Sequence, residues 1–224
     1  MRLSVVSPAL GAVRPSGEVM SSADKALGFA LSGGWKGMAE RAHFVQFFND
    51  DDVLLDSACG FIGGGLLAGA ACVVITTPQR IQELESRLVA RGFDLASARA
   101  WKQYSTFDAA ETLAKFMVDG MPDAKRFDEV VGAAIAAADE HHPRVLAFGE
   151  MVGLLWTQGN REAAVQLEKL WSKLAERYGF SLFCAYPANE IDREAHAQAF
   201  ADVCAEHGGV IHADHYAPSA SPNS

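Results

Sequence analysis

The most constraining feature of the chain is the segment of residues 43–77, which reads HFVQFFNDDDVLLDSACGFIGGGLLAGAACVVITT. Its pattern predicts a buried strand over 43–48, a polar turn over 49–52, a helix over 53–68 and a second apolar strand over 72–76. A strand, a crossover helix and another strand normally form a parallel pair. The segment therefore predicts a βαβ unit that opens an α/β domain.

The turn between the first strand and its helix is acidic. In α/β folds this turn is where nucleotide-binding proteins place a glycine-rich phosphate loop, because the unpaired amides and the dipole of the helix attract anions. Here the turn reads NDDD over 49–52, and the string G-x-x-x-x-G-K-[ST] occurs nowhere in the chain. A triphosphate would meet like charge. The sequence predicts the architecture of a nucleotide-binding protein without its phosphate chemistry.

The composition suits one domain with a sizeable core. The chain has 224 residues, half of them hydrophobic, and a formal charge of −9. Direct binding to nucleic acid or to an anionic membrane needs concentrated positive charge, and the chain has no cluster of Lys and Arg. We therefore expect neither partner.

The cysteine pattern favours a reducing compartment. The four cysteines are scattered through apolar segments without a C-x-x-C pair: Cys59, Cys72, Cys184 and Cys204. This pattern predicts small buried thiols in a cytoplasmic protein. The longest apolar stretch, 58–76, contains five glycines and divides into a helix and a strand, which argues against a membrane span.

The rest of the chain alternates helical and strand patterns. Helices are predicted over 79–91, from the cap Asp108 to Gly120, and over 124–140, 151–158, 160–178 and 192–207. Strands are predicted over 101–107, 144–148, 180–185 and 210–212. This alternation predicts three layers, with an open, mostly parallel sheet between helices. We expect an ordered domain over 41–216, a mobile arm over 1–40 and a loose tail over 217–224.

Ligands of such sheets bind beyond the carboxyl ends of the strands. Applied to the predicted strands, this rule gives the candidate ligand-binding residues Phe48, Asn49, Asp50, Thr76, Thr77, Glu150 and Tyr186. Glu150 directly follows a buried strand, where phosphate-hydrolysing enzymes keep a general base or metal ligand. The alternative is that Glu150 caps the following helix, and the sequence leaves the two interpretations open.

The histidines predict no metal site. His43 begins a buried strand at the end opposite the expected cleft, which favours a structural role. His207, His212, Asp214 and His215 match no standard zinc spacing.

Six motifs resemble the MEDS domain, a sensory family named after methanogens, methylotrophs and the dichloromethane-responsive repressor. They are HFVQFF with its acidic turn, FIGGGLLAG from 61, VVITT from 73, RVLAFGEMV from 144, LEKLW from 167 and FSLFCAYP from 180. Their order and spacing span nearly the whole expected domain.

The resemblance implies a RecA-like core akin to the KaiC ATPases, with a degenerate phosphate loop and a role in sensing small, hydrocarbon-derived ligands. The characteristic polar positions of the family fall on His43, Gln46, Glu150, Glu168, Cys184 and Tyr186, without established roles. Such domains occur alone, beside histidine kinases or fused to DNA-binding segments. RecA-like domains often assemble edge to edge, so a homo-oligomer is an expectation as well.

Three hypotheses follow. The leading one is a stand-alone cytoplasmic sensory module that binds an unidentified small organic ligand and signals through a partner, such as a histidine kinase or another regulatory protein. The second is a divergent nucleotide hydrolase with Glu150 as base or metal ligand. The third is a ligand-free interaction scaffold that uses the alanine-rich helix over 124–140 or the N-terminal arm. The missing catalytic motifs favour a non-enzymatic role, and no cofactor is predicted.

Overall fold

The structure is a computed structural model that describes residues 42–191 and 196–211. The predictions for the arm over 1–40, for the tail over 217–224, and for His212, Asp214 and His215 lie outside the described residues. Among the described residues, no helix is long and apolar enough to cross a membrane.

The described chain alternates strands and helices as the sequence predicts. The strands are β1 (His43–Phe48), β2 (Ala71–Thr76), β3 (Tyr104–Asp108), β4 (Met117–Val118), β5 (Met121–Pro122), β6 (Val145–Gly149), β7 (Ser181–Pro187) and β8 (Gly209–Ile211). The helices are α1 (Asp51–Leu67), α2 (Pro78–Ala90), α3 (Leu95–Ala100), α4 (Ala109–Phe116), α5 (Ala124–Phe127), α6 (Ala133–Asp139), α7 (Met151–Thr157), α8 (Arg161–Tyr178) and α9 (Ala197–Ala205).

Six strands form one open sheet in the order β3-β2-β6-β7-β1-β8, and every pair in it is parallel. This confirms the predicted α/β class. The strands β1 and β2 are parallel but not neighbours, because β6 and β7 lie between them. These inserted strands are apolar and largely buried, as strands covered on both faces must be.

Helices cover both faces of the sheet, and the alternation of side chains along each strand divides the core in two. On β1, Phe44 and Phe48 pack on the face that carries α1, α2 and α3. Val45 belongs to the other core, which includes Trp171 of α8 and the apolar residues of α4 and α7. The helices on both faces leave the strand ends as the place where polar side chains can gather.

Helix ends confirm much of the local prediction. Asp108 caps α4 by accepting the N–H of Glu111 at 2.9 Å, and Asn160 caps α8 by accepting that of Ala163 at 3.2 Å. Gly179 ends α8 with a φ of +67°, a left-handed conformation that glycine adopts without strain.

Three local details differ from the prediction. The helix predicted from Asp108 to Gly120 ends at Phe116, and Met117–Val118 forms a short antiparallel pair with Met121–Pro122. The segment between the predicted helix over 79–91 and the predicted strand over 101–107 contains α3, whose first turn is capped when Asp94 accepts the N–H of Ser97 at 3.0 Å. The helix predicted over 124–140 has a π-helical turn over Asp128–Gly132 between α5 and α6. The Asp94 cap is a local contact that the sequence could have indicated, whereas the π-helical turn is a departure that hydrophobic periodicity does not report.

Candidate functional site

Some of the predicted site residues, together with residues that were not predicted, form two groups on different parts of the sheet. We call the first the carboxyl-edge network; its members are Phe48, Asp51, Thr76, Arg80 and Glu150. We call the second the histidine cluster; its members are His43, Glu168, Cys184, Tyr186 and His207. Tyr186 was expected beside Glu150, but its hydroxyl lies in the histidine cluster instead, because it points to the face covered by α8.

Glu150 is the centre of the carboxyl-edge network. Its backbone N–H donates to the carbonyl of Ile75 at 3.0 Å, which places its side chain just beyond the ends of β6 and β2. The side chain is only 3% exposed. Its Oε1 accepts from Nη1 of Arg80 at 2.6 Å, and its Oε2 accepts from the hydroxyl of Thr76. The carboxyl group is thus held between a cation and a hydroxyl.

Burial shifts the proton affinity of this group. It raises the pKa of Glu150 above its usual value, although the Arg80 charge and the Thr76 hydroxyl partly oppose the effect. Glu150 occupies the N-cap position of α7 but makes no capping hydrogen bond with its side chain. The helix-cap interpretation of Glu150 therefore does not describe its side chain.

Arg80 is the member of the network that the sequence did not single out. Its Nη2 donates to Asp51 at 2.6 Å, and its guanidinium lies 5.2 Å from the centre of the Phe48 ring. Arg80 thereby connects α1, α2 and the end of β6. A signal for it exists in the sequence, because Arg80 and Arg87 are seven residues apart, on one face of α2.

That face of α2 pairs with the acidic start of α1. Arg87 contacts Asp52, and it donates to Asp56 at 3.1 Å. Arg91 donates to the same Asp56 at 2.8 Å. The acidic side chains of α1 are therefore matched by a row of arginines, which the net charge of the whole chain conceals.

The acidic turn itself works as a helix cap. Asp50 accepts the N–H of Asp52 at 2.8 Å, so a carboxylate already occupies part of the amide site where a phosphate would bind. Thr77 likewise caps α2 by accepting the N–H of Arg80 at 3.4 Å. Asn49 is exposed beside them.

Gln46 lies on β1 with an amide that has no partner. It is 0% exposed, and neither its Nε2 nor its Oε1 makes a hydrogen bond within the described chain. By strand alternation it falls on the same face as Phe44 and Phe48. A buried unpaired polar group costs roughly 1–3 kcal/mol, so its presence calls for a compensating role.

The histidine cluster lies on the opposite face, between β1, β7 and α8. Oε2 of Glu168 is 3.3 Å from Nε2 of His43 and 3.3 Å from Sγ of Cys184. The hydroxyl of Tyr186 donates to Oε1 of the same carboxylate at 2.7 Å. Glu168 and Tyr186 are fully buried, so this is a polar island within the core.

His207, in the turn before β8, completes the cluster. Its Nδ1 donates to the carbonyl of Val203 at 2.6 Å, and its Nε2 is 3.6 Å from Oε1 of Glu168. Its ring centre lies 4.0 Å from that of His43. One ligand atom from each of His43, Glu168, Cys184 and His207 can be chosen so that all four lie within 4.8 Å of one another. These four residues could hold a metal ion.

The cluster changes the proton affinities of its members. Burial raises the pKa of Glu168, but His43, His207 and Tyr186 more than offset this effect, so the pKa lies below its usual value. Burial and the Glu168 charge raise the pKa of Cys184 well above its usual value. Burial lowers the pKa of His207. An ionised carboxylate therefore faces the Cys184 thiol and the His207 imidazole, whose neutral forms burial favours.

A surface pocket of about 190 Å³ lies elsewhere, at the amino edge of the sheet. It is lined by Leu66 and Phe93 and by Trp101, which is 77% exposed. Its one acidic residue, Asp94, is already bonded to Ser97 as a helix cap. Converging polar groups, which fix the orientation of a ligand, are found at the carboxyl edge and in the histidine cluster instead.

The fold and the two polar groups define an α/β domain of the open parallel-sheet class, in which a carboxylate occupies the first helix N-terminus instead of leaving it free for phosphate. The family model of the MEDS domain, described as the methanogen/methylotroph, DcmR sensory domain, matches residues 42–207. The chain belongs to the MEDS family of sensory domains, which confirms the resemblance of its motifs. A comparison of the chain with curated proteins found no match.

Proposed function

We propose that the chain is a sensory domain that binds a small neutral or cationic organic molecule at the carboxyl-edge network and signals through a partner protein. The observation that carries this proposal is the buried Glu150 carboxyl group, held by Arg80 and Thr76 at the edge where open parallel sheets bind ligands. A ligand that offers Glu150 better hydrogen bonds would displace Arg80 or Thr76. The resulting change in contacts would be the signal.

The unpaired amide of Gln46 supports a ligand at this edge. The strand register pairs Gln46 with Ala185, one residue beyond the pair of Gly149 and Cys184. Gln46 is therefore level with Glu150, two strands and about 10 Å away. A small molecule that reached between them would satisfy the amide and compete for the carboxyl group.

The charges at this edge disfavour a nucleotide. Asp50 occupies part of the amide site of α1, and Asp51 shares Arg80 with Glu150. These carboxylates would repel an incoming triphosphate. They would not repel a neutral molecule, and they would attract a cationic one. The same contacts weigh against the hydrolase hypothesis, because Glu150 is tied to Arg80 and Thr76 rather than free to activate water.

Arg80 offers a route from the site to a partner. It contacts Asp51 at the start of α1 and Glu150 at the end of β6, while its backbone belongs to α2. A ligand that takes Glu150 from Arg80 would alter how α1 and α2 pack, and both helices lie at one face of the domain. We infer that the recipient of the signal is a regulatory protein such as a histidine kinase.

We also infer from the family resemblance that the core is RecA-like and that the protein is cytoplasmic.

The direct test is a thermal-shift and calorimetric screen of small alcohols, amides, amines and halogenated hydrocarbons against the full chain and its Glu150→Gln variant. We expect a ligand whose affinity falls at least about tenfold in the variant, since one charge-assisted hydrogen bond is worth roughly 1.5–3 kcal/mol. The exposed Glu176→Gln is the matched control and should bind like the wild type.

Two results would count against the proposal. The first is a screen without ligands, or one whose ligands bind Glu150→Gln and the wild type equally. The second is turnover of Mg·ATP that disappears in Glu150→Gln, which would establish the hydrolase instead.

A further inference from the structure

We propose that His43, Glu168, Cys184 and His207 bind one divalent transition-metal ion of the zinc class, on the face of the sheet opposite the first three helices. The ligand atoms are Nε2 of both histidines, one carboxylate oxygen of Glu168 and Sγ of Cys184. This site is independent of the ligand proposed at the carboxyl edge, since the two groups share no residue.

The distances between the ligand atoms match those of a coordinated ion. Bonds of about 2.0–2.3 Å to a tetrahedral zinc ion separate neighbouring ligand atoms by about 3.3–3.8 Å. Oε2 of Glu168 is 3.3 Å from both Nε2 of His43 and Sγ of Cys184, and that sulfur is 3.5 Å from the same nitrogen. Three ligands are therefore already at coordination distance, and His207 lies within 4.8 Å of them.

The fourth ligand carries an independent indication. The side chain of His207 is 0% exposed, and its Nδ1 donates to the carbonyl of Val203. Its Nε2 therefore presents a lone pair toward the carboxylate of Glu168 at 3.6 Å, and this nitrogen has no hydrogen-bond partner. Two acceptors facing each other in a dry core repel each other unless a cation lies between them.

The surroundings orient these ligands as the neighbours of metal ligands do. Nδ1 of His43 donates to Ser172, 3.3 Å away, whose hydroxyl donates onward to Glu206 at 2.9 Å. The carbonyl of Val203 fixes the tautomer of His207, and the hydroxyl of Tyr186 holds the remaining oxygen of Glu168. Each of these three ligands is held by a separate outer contact.

A metal-free polar network explains the cluster less well. The thiol of Cys184 supplies one proton and can satisfy only one of the acceptors around it. An ion would accept the lone pairs of His43, Glu168 and His207 at once. Two imidazoles, one thiolate and one carboxylate in a compact set suit Zn²⁺, and four protein ligands leave no open coordination position.

The ion would join four separate parts of the chain, namely β1, α8, β7 and the turn before β8. The side chain of His43 is 11% exposed, which gives the ion a short route from solvent. Binding requires the thiolate, so the Cys184 S–H bond breaks, its proton passes to buffer, and the sulfur lone pair forms the bond to the metal.

The test is titration of chelator-treated full chain with Co²⁺, followed by displacement with Zn²⁺. We expect one Co²⁺ per chain, a thiolate-to-metal charge-transfer band, d–d bands typical of four-coordination, and proton release seen as a buffer-dependent binding enthalpy. Elemental analysis of the chain purified without chelator should find close to one zinc.

Matched variants assign the ligands. Cys184→Ser should lose the charge-transfer band, whereas Cys72→Ser, which changes a buried thiol on the other face, should keep it. His207→Asn should weaken binding at least tenfold while the exposed His141→Asn does not, and Tyr186→Phe should weaken it about tenfold. Wild-type chain without the Co²⁺ bands, or a band that persists in Cys184→Ser, would overturn the proposal even if another variant failed to fold.

Discussion

The two polar groups of this domain are built in opposite ways. The carboxyl-edge network uses residues at the carboxyl ends of strands or in the first turns of helices, and Asp51 in it is well exposed. The histidine cluster gathers residues from β1, α8, β7 and the turn before β8, and its central carboxylate is fully buried. The first therefore reaches solvent through Asp51, whereas the second is enclosed in the core.

The two sites differ in how far the partners of the buried carboxylate offset its loss of hydration. A buried carboxylate must be paired, and the contacts of Glu168 with His43, His207 and Tyr186 lower its pKa. Glu150 is also buried, yet its pKa is raised, because two partners do not fully compensate for lost water. A site that responds to a ligand is expected to retain such incomplete compensation.

The largest effect on the free energy of unfolding is expected in the histidine cluster. Glu168→Gln in the zinc-loaded chain removes the charged ligand at the centre of the cluster, and it should lower the free energy of unfolding by about 3 kcal/mol. Urea denaturation followed by circular dichroism measures this. Glu176→Gln, on the same helix but exposed, should change the stability by less than about 0.5 kcal/mol. Equal effects of the two variants would mean that the cluster contributes no specific stability.

The next effect belongs to the carboxyl-edge network. Arg80→Met leaves Glu150 buried without its cation, and we expect a loss of about 2 kcal/mol in the free energy of unfolding. The control is Arg87→Met on the same face of α2, whose partners Asp52 and Glu83 are exposed and whose third partner, Asp56, is half-buried. That change should cost only about 0.5–1 kcal/mol. An equal loss of stability in the two variants would mean that Arg80 contributes no more to the free energy of unfolding than Arg87 does.

The sequence predicted the two sites unequally, and the reason is physical. The strand-end rule placed Thr76 and Glu150 together correctly, because the carboxyl ends of parallel strands meet at one edge. Strand periodicity does not indicate which helix packs on which strand. It therefore could not predict that His43 contacts Glu168 and His207. The strand-end rule marked Tyr186 but placed it beside Glu150, and only the motifs of the family marked His43, Glu168 and Cys184 as characteristic polar positions, without indicating that they touch.

The sequence also predicted the class of the fold and the helix cap Asp108, yet it suggested β1 and β2 as neighbours. Local patterns report how a strand and a helix form. The insertion of β6 and β7 between these two strands depends on side-chain packing across the whole sheet. Arg80 was missed for a similar reason, since its partners lie 29 and 70 residues away in the chain.

A third prediction has the opposite sign. Gln46→Met replaces a buried amide without partners by an apolar side chain of similar length. We expect the ligand-free domain to gain about 1 kcal/mol in the free energy of unfolding, because an unsatisfied polar group is removed. The same variant should lose affinity for any ligand found in the screen. If Gln46→Met instead destabilises the ligand-free domain, the amide has a partner within the protein.

The smallest effect is a difference in pH dependence between the wild type and Glu150→Gln. Because the pKa of Glu150 is raised in the folded protein, the unfolded chain releases this proton first as the pH rises above the usual value of 4.5. The native state then binds more protons than the unfolded state, so this group makes the wild type progressively less stable with rising pH, until the pKa of the folded state is passed. The variant lacks this contribution.

The stability of the wild type relative to Glu150→Gln should therefore be greatest below about pH 4.5 and decline as the pH rises above that value. Denaturation curves at closely spaced pH values measure it, with Glu176→Gln as the reference for general charge effects. Parallel curves for the wild type and Glu150→Gln would show that Arg80 and Thr76 compensate fully for burial. The carboxyl edge would then be as fixed as the histidine cluster, and a ligand would gain nothing by exchanging with Arg80.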